Sequence, residues 1–552
     1  MGISNEDTLD GPPHAEHLPS GTFSSLGNQQ FRMIWVGGTL SHLGTFVHLT
    51  AAAWLMTTLT SSSTLIALVQ SAWALPTMLL ALVAGATADI YDKRTQMIVS
   101  MAFCSLSIFI LLGVFRAGAL EPWSLLALMV TMGVGAAFFF PAWQASLPEI
   151  VSKDQFVSAV SLNNFSFNVA RCIGPGIAGE ILVRSGVGAA FVINGMSCLF
   201  LIWVLYRWKR EKSINSWPKE TVAGAIGDGL RYARLSPKML KIVACGFVFP
   251  VSGSAILALT PLVALELDGQ PRTLGMLLLG FGVGAMAGAL SVTWLQAKLA
   301  LNRLAFLSAI IVTLALWALS IVEHKFLAAG ALLLGGFGWV QIMSILQILI
   351  QTSCPRWVVG RMVSLLAMVF SAGIAIGAAS WGSVADIVNT STAFHYAAIA
   401  TGIAGALLLA LPLNQVADGF LGPQSNTAPP FTQGLVAGAG PIKTSVEYKV
   451  SSQNIDAFKG LMLDVGRIRK RDGARGWRFH NDSSIENLWI EEFQSPTWAH
   501  HLRLTARSVK GDLITYKALT HLCDAEPTTY QEVGDSEETF IAPVPGIQLK
   551  AT

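Results

Sequence analysis

Residues 64–116 read TLIALVQSAWALPTMLLALVAGATADIYDKRTQMIVSMAFCSLSIFILLGVFR. Two apolar runs, 64–88 and 95–116, flank a single polar break that contains Asp89, Asp92, Lys93 and Arg94. A hydrocarbon core of about 30 Å needs about 20 apolar residues in a helix, so each run is long enough to cross a bilayer. The same alternation continues over 33–58, 122–143, 157–183, 187–207, 240–264, 273–297, 303–322, 326–350, 362–387 and 391–413. With the first two runs, that makes twelve spans and places both ends of the chain on one side of the membrane. The predicted fold is an all-α polytopic membrane protein with a small α+β domain at its C-terminus.

Charge is distributed to match. Only 12% of the 552 residues are charged, about half the usual share of a soluble domain. Residues 440–552 hold 29 of the 69 charged side chains, so this part reads as soluble. The even-numbered connections between spans carry sixteen Lys and Arg, among them Lys93, Arg94, Lys153, Arg231, Arg356 and Arg361. The odd-numbered ones carry four, Arg116, Arg184, Arg272 and Lys325. That bias predicts cytoplasmic termini and a cytoplasmic C-terminal domain. The first 25 residues hold no Lys or Arg and no apolar run, so no cleavable secretion signal is expected and 1–27 reads as a disordered tail. The six cysteines show neither metal-ligand spacing nor a disulfide framework. No metal and no cofactor is expected.

The spans divide six and six around a basic connection, giving halves 28–207 and 239–415 joined by a linker, 208–238. The second part of that linker, Thr221 to Leu235, has amphipathic helical spacing, which suits either a lipid surface or a solvated connector. The halves echo each other. Gln144, Ser146 and Pro148 recur as Gln351, Ser353 and Pro355; Gly85 recurs as Gly288, and Gly174 and Gly179 as Gly377 and Gly382. Parallel repeats of this kind are a construction of secondary transporters, with the substrate path between the halves. No phosphate-binding G-x-x-x-x-G-K-[ST] segment is present to drive an ATP-powered pump.

Span five reads Asn163-Asn164-Phe-Ser-Phe-Asn168-Val-Ala-Arg171-Cys-Ile-Gly174-Pro175-Gly176-Ile-Ala-Gly179-Glu180. At helical spacing Asn164, Asn168, Arg171, Pro175 and Gly179 share one stripe. A charge in mid-membrane is costly and normally faces a cavity or a partner, so Arg171 is the leading candidate for substrate or coupling chemistry. Spans one and four contain no Asp or Glu, which leaves His48, ahead of His42, either as the protonatable substitute near Arg171 or as a hydrogen-bonded structural residue. Gln144 and Gln341 either line a cavity or act as interhelical glue, and Gly280, Gly284 and Gly288 read as close helix packing. Glu180, four residues before Arg184, reads as half of a surface ion pair.

The loop Gly85-Ala-Thr-Ala-Asp89-Ile-Tyr-Asp92-Lys93-Arg94 resembles the gating-loop motif of the major facilitator superfamily, departing from it at Ile90 and Asp92. Gly174-Pro175 and Gly179 resemble the bend-and-packing element of that superfamily's exporters. The stretches 148–179 and 354–386 are similar to the branch that contains enterobactin exporters and drug-efflux proteins. The resemblance implies a bacterial inner-membrane protein that exports a drug-like or siderophore-like molecule by alternating access, with protons as coupling ion. It implies that Gly85, Asp89, Asp92, Lys93 and Arg94 latch the cytoplasmic side. An importer, or a transporter whose C-terminal domain is catalytic or senses a ligand, are the other readings.

After a linker, 416–442, the pattern changes. SVEYKV, ARGWRFHND, ENLWIEEFQS and TTYQEV alternate as strands; NIDAFKGLMLDVGRIRKR and TWAHHLRLTARSVKGDLITYKAL have helical spacing. The order βαββαβ over 443–535 is that of a ferredoxin-like unit, with 536–552 left as a tail. The domain resembles the antibiotic-biosynthesis-monooxygenase type of dimeric α/β barrel, which implies a homodimer. Its aromatic residues and histidines read as core, since His500 and His501, adjacent on a helix, cannot face one ligand. The chain as a whole is not expected to be an enzyme or to bind nucleic acid. Its expected partners are a small molecule, protons and the lipid bilayer.

Overall fold

The structure is a computed structural model and describes residues 23–208, 222–355, 357–410, 438–482, 484–485, 487–509, 511–533 and 539–542. Fourteen helices precede the sheet domain: α1 Gln29–Leu59, α2 Ser63–Ile90, α3 Lys93–Arg116, α4 Pro122–Ile150, α5 Phe156–Arg207, α6 Val222–Leu235, α7 Pro237–Gly253, α8 Ala255–Ala258, α9 Thr260–Leu267, α10 Pro271–Gln296, α11 Leu301–Leu319, α12 Lys325–Ser353, α13 Val359–Ile387 and α14 Thr390–Ala410. Among the described residues, nine helical stretches are long and apolar enough to cross a membrane.

Two of those nine are compound. A straight helix of the 52 residues of α5 would run about 78 Å, more than twice a hydrocarbon core. It breaks at Gly186, whose φ of 77° only glycine adopts readily. The second, Pro237–Leu267, is α7, α8 and α9 end to end, with Pro250 inside α7 removing one backbone donor just before the first joint.

The halves meet along two seams. On one, α2 lies against α13: a Cβ on Gly85 would sit 2.9 Å from Ser364 Oγ, and one on Gly382 would sit 2.6 Å from Ala67 Cβ. Between these ends Ser71 donates to the Ala375 carbonyl at 2.6 Å. On the other seam, the first arm of α5 lies against α10. A Cβ on Gly275 would meet the Pro175 carbonyl at 2.7 Å, and one on Gly282 would meet Cys172 Cα at 2.4 Å. Small residues let backbones approach this closely when no hydrophobic force draws helices together in lipid. The glycine stripe of α10 otherwise faces α12: a Cβ on Gly284 would lie 1.8 Å from the Leu333 carbonyl and one on Gly288 2.6 Å from that of Phe337. That is the close packing the four-residue spacing predicts.

The C-terminal domain contains β1 Ile442–Lys449, α15 Ile455–Asp472, β2 Arg475–Asn481, β3 Leu488–Ser495, α16 Trp498–Ala506, α17 Asp512–His521, β4 Thr528–Val533 and β5 Thr539–Ala542. Its sheet has the order β2-β3-β1-β4-β5, antiparallel throughout. Alternate residues of β1, from Ile442 to Tyr448, are buried under the helices, as a half-covered sheet requires. Val446, Tyr448, Phe458, Met462, Val465, Phe493, Tyr516 and Leu519 form a core separate from that of the membrane helices.

Four features differ from the sequence expectation, the last being order in residues 24–27, which were read as part of a disordered tail. The second helix is two helices, because Asp512 accepts from the Val509 amide at 3.0 Å and starts α17 as a new helix after Gly511. A fifth strand, β5, pairs with β4. The linker helix α6 is not a free connector; it packs against α2, α13 and α15. Residues 24–27 form a short 3-10 turn, with the Ser25 and Ser158 hydroxyls 2.9 Å apart.

Candidate functional site

The polar stripe of α5 is assembled by a single helix face. Asn168 donates from Nδ2 to the Asn164 carbonyl at 2.8 Å, and Arg171 donates to Asn168 Oδ1 at 2.9 Å. Pro175 and Gly179, next along that face, pack directly on Gly275 of α10. The stripe therefore looks across the seam toward the second half, dry at one end and polar at the other. Asn164 is exposed and Asn168 and Arg171 are half-buried. The Arg171 Nε is buried with no hydrogen-bond partner among the described residues, so the guanidinium keeps unused donor capacity in mid-membrane.

His42, not His48, contacts the arm of α5 that carries this stripe. Its ring meets Phe167 edge-on at 5.2 Å, and Phe167 neighbours Asn168. His48 is buried on another face of α1, its ring 4.7 Å from Phe191 in the second arm of α5, with both nitrogens unpartnered among the described residues. Gln341 is fully buried and donates to Ser291 Oγ at 2.9 Å, tying α12 to α10. Gln144 is half-buried.

The loop between α2 and α3 lies at the face that carries the sheet domain, called here the tail face. Asp92 caps α3, accepting from the Thr95 amide at 2.7 Å. Lys93 pairs with Glu149 at 2.6 Å, and Arg94 donates to the carbonyls of Leu205 and Tyr206 at the end of α5. These contacts stay within the first half, whereas Gly85 touches α13 across the seam. The Asp89 side chain lies outside the described residues. Gly174 packs on Phe46 of α1, where a Cβ would lie 2.7 Å from Phe46 Cβ.

At the opposite, distal face each seam ends in a carboxylate that grips the start of a helix in the other half. Asp386 of α13 accepts from Ser62 Oγ at 2.9 Å, the Ser63 amide at 2.6 Å, the Thr64 amide at 2.9 Å and Thr64 Oγ1 at 2.5 Å. It thus caps α2, where a negative charge meets unsatisfied backbone donors. Glu180 of α5 accepts from Arg272 Nε and Nη2 at 3.0 and 2.8 Å, at the start of α10, while also pairing with Arg184. The two clamps are related by the internal repeat. A Cβ on Gly179 would meet Pro271, Arg272 and Gly275, and one on Gly382 would meet Ser63, Thr64 and Ala67. In both sets the contacts fall at i, i+1 and i+4 of the facing helix. Sequence reading identified the repeated glycines but assigned Glu180 only to Arg184 and passed over Asp386. The signal was a carboxylate one and four residues beyond the equivalent glycines.

In the sheet domain Glu491 is fully buried and accepts from Tyr448 Oη at 2.8 Å, Arg469 Nε at 3.1 Å and Trp477 Nε1 at 3.0 Å. Burial works against the Arg469 charge, but the Glu491 carboxylate outweighs it and holds the guanidinium protonated above its ordinary range. Burial pushes Asp472 up to about 6 despite Arg471 beside it. His501 stacks on Trp498 at 5.5 Å and reaches Gln531 at 2.9 Å, while His500 turns toward Gly473, so the two do not converge. No cluster of metal-ligating side chains occurs among the described residues.

The profile of the family described as transmembrane secretion effector matches residues 20–533. The multidrug efflux pump Tap of Mycolicibacterium fortuitum is 24% identical over 383 residues, covering 67% of this chain and 92% of that protein. The enterobactin exporter EntS of Salmonella typhimurium is 25% identical over 334 residues, 59% of this chain and 79% of that one. Among solved structures, an auto-inhibited POT family peptide transporter aligns with a TM-score of 0.57 at 12% identity, over 71% of this chain and 98% of its own. At that identity the likeness concerns the fold alone.

Proposed function

The chain belongs to the transmembrane secretion effector family, a branch of the major facilitator transporters, and from that premise we propose that it is a secondary transporter exporting a small organic molecule by alternating access. The observation that carries this reading is the pairing of the two seams. Each joins one half to the other, and each is closed at the distal face by a carboxylate clamp that rigid-body rocking of the halves would break.

We infer twelve crossings in two sets of six: α5 divides at Gly186 into two, and α1 and α14 join the nine long apolar stretches. The Lys and Arg bias supports a cytoplasmic tail face in a bacterial inner membrane, with both termini and the sheet domain inside. The path runs past Arg171, Asn168 and Asn164, which face the α5–α10 seam. Protons are the proposed coupling ion, with His42, near that stripe, and His48 as the histidines able to carry one. The substrate is drug-like or siderophore-like, by analogy with the efflux pump and the enterobactin exporter that the chain resembles. The strand order supports a ferredoxin-like unit, with homodimerisation through its open face and no catalysis of its own.

Efflux of a compound panel from cells stripped of their other pumps tests this reading. It predicts lower accumulation of at least one compound on expression, and movement of label into inverted vesicles. Label leaving inverted vesicles would make the protein an importer. No movement in either direction would refute the carrier reading.

A further inference from the structure

The sheet domain does not hang from the membrane helices; it is docked on them around a buried carboxylate. Asp228 of α6 is 7% exposed and meets arginines from three separate parts of the chain. Arg231, on the same helix, reaches it at 2.7 Å, Arg361 at the start of α13 at 3.6 Å, and Arg507 of the sheet domain closes the cluster with a hydrogen bond from Nη2. Arg507 is itself buried. Its Nη1 donates to the Asp472 carbonyl at 2.8 Å, and its guanidinium lies 4.4 Å from the centre of the Trp357 ring, just before α13. Tyr232 of α6 meets the same ring edge-on at 5.7 Å.

Arginine side chains press on two glycines here. A Cβ on Gly229 would lie 3.1 Å from Arg361 Cβ, and one on Gly473 would lie 3.1 Å from Arg231 Nη2 and 3.2 Å from Arg507 Nη1. Burial disfavours the Asp228 charge, but the guanidinium of Arg507, then that of Arg231, holds its carboxyl below the usual range. Removing Asp228 takes the shared counter-charge from all three guanidiniums, whereas removing Arg507 leaves Asp228 paired with Arg231 and Arg361 and cuts only the link to the sheet domain.

What the cluster spans matters as much as its chemistry. Helix α6 packs on both α2 and α13, one from each half, at the tail-face end of their seam. That end is where Gly85 meets Ser364. We propose that the docked sheet domain is a brake: through Asp228 it staples α6 across the α2–α13 seam, and the tail face cannot part there until the domain lets go. The proposal rests on the alternating-access reading for its effect on transport, but not for the coupling between docking and seam. An exporter loads from the tail face, so release of the domain speeds loading. Whatever withdraws Arg507, such as a second copy of the chain or a ligand of the domain, would then switch the transporter on.

Hydrogen exchange on the purified full-length protein, together with ethidium efflux from cells expressing it, tests the staple in Arg507→Gln, Arg507→Lys and Asp228→Asn. We expect exchange in 222–235 and in 359–366 to rise about fivefold or more in Arg507→Gln and Asp228→Asn. Ethidium efflux should rise with it, and Arg507→Lys should fall between these variants and the wild type. Faster exchange in α6 with unchanged protection of 359–366 would overturn the proposal, since the domain would then be tethered but not coupled. Slower efflux on undocking would also overturn it, making the domain a prop. If Arg507→Gln unfolds the domain, seen as exchange rising throughout 442–533, Asp228→Asn, which lies outside it, decides. A wild-type protein that moves no ethidium counts against ethidium as a substrate, and the exchange measurement then decides the coupling alone.

Discussion

Replacing Asp386 by Asn should unlatch the distal face. The carboxylate accepts four hydrogen bonds from the first turn of α2 and its flank. Asn keeps the shape but loses the charge and turns an NH2 group toward donors. Loss of a capping side chain costs about 0.5–2 kcal/mol, and loss of a negative charge at a helix start about 0.3–1 kcal/mol. The site faces solvent, so screening places the combined effect near the low end, about 1 kcal/mol. Because the cap joins the two halves, that energy is lost from the distal-closed state alone, and its population against the open state falls about fivefold.

Cys172 is a native reporter of this shift. It is 2% exposed, on the other seam, where Gly282 of α10 lies against it. With the other five cysteines replaced, its alkylation by a membrane-impermeant maleimide added from the distal side should run about fivefold faster in Asp386→Asn. Reaction at the second seam after a change at the first is what rigid halves require. An unchanged rate, with the protein correctly inserted, would show that Asp386 holds only its local helix end or that the seams open independently.

Arg171→Ala should reduce efflux to background with the inserted amount unchanged; wild-type efflux would demote the α5 stripe to packing. Deleting 440–552 should leave an inserted transporter whose efflux is no lower than that of the wild type, since the brake is gone, checked by membrane fractionation and efflux, and complete loss of insertion would show the domain to be integral to folding. Within the domain, Glu491→Gln removes one member of a buried pair and should destabilise it by about 3–5 kcal/mol, measured by hydrogen exchange in 442–533. Burial lowers His501 to about 4 from an ordinary 6.5, so the unfolded chain takes up the proton first on acidification. The stability His501 contributes as a neutral ring is complete above about 6.5 and is lost as pH falls toward 4. His501→Gln should flatten the acid sensitivity of domain unfolding over that window.

Much of this architecture is local in origin and could be read from the chain. Apolar runs of bilayer length mark the spans, and the glycines of α10 and α13 recur at helical spacing because they meet backbones at fixed turns. The Asn164–Asn168–Arg171 stripe is a matter of three and four residue steps. What escaped reading is contact between distant segments. Asp386 grips residues more than three hundred positions away, and its place four residues after the repeated Gly382 was the one local sign of it. Asp228 reads as an ordinary polar position on an amphipathic helix until Arg361 and Arg507 converge on it. His48 was preferred over His42 on depth alone, whereas the rotation of α1 directs His48 to Phe191 and His42 to Phe167. The single long helix expected over 497–519 failed on turn chemistry, since Gly511 and Asp512 start a new helix there.

Spin-label distances taken at both mouths of one molecule test the central claim most directly. One pair spans the distal mouth at Ser61 and Val388, and the other spans the tail mouth at Tyr91 and Trp294, all at accessible positions. Two halves rocking about the seams predict reciprocal change: conditions that lengthen the first distance shorten the second. Distances that stay fixed during transport, or that lengthen together, would contradict it.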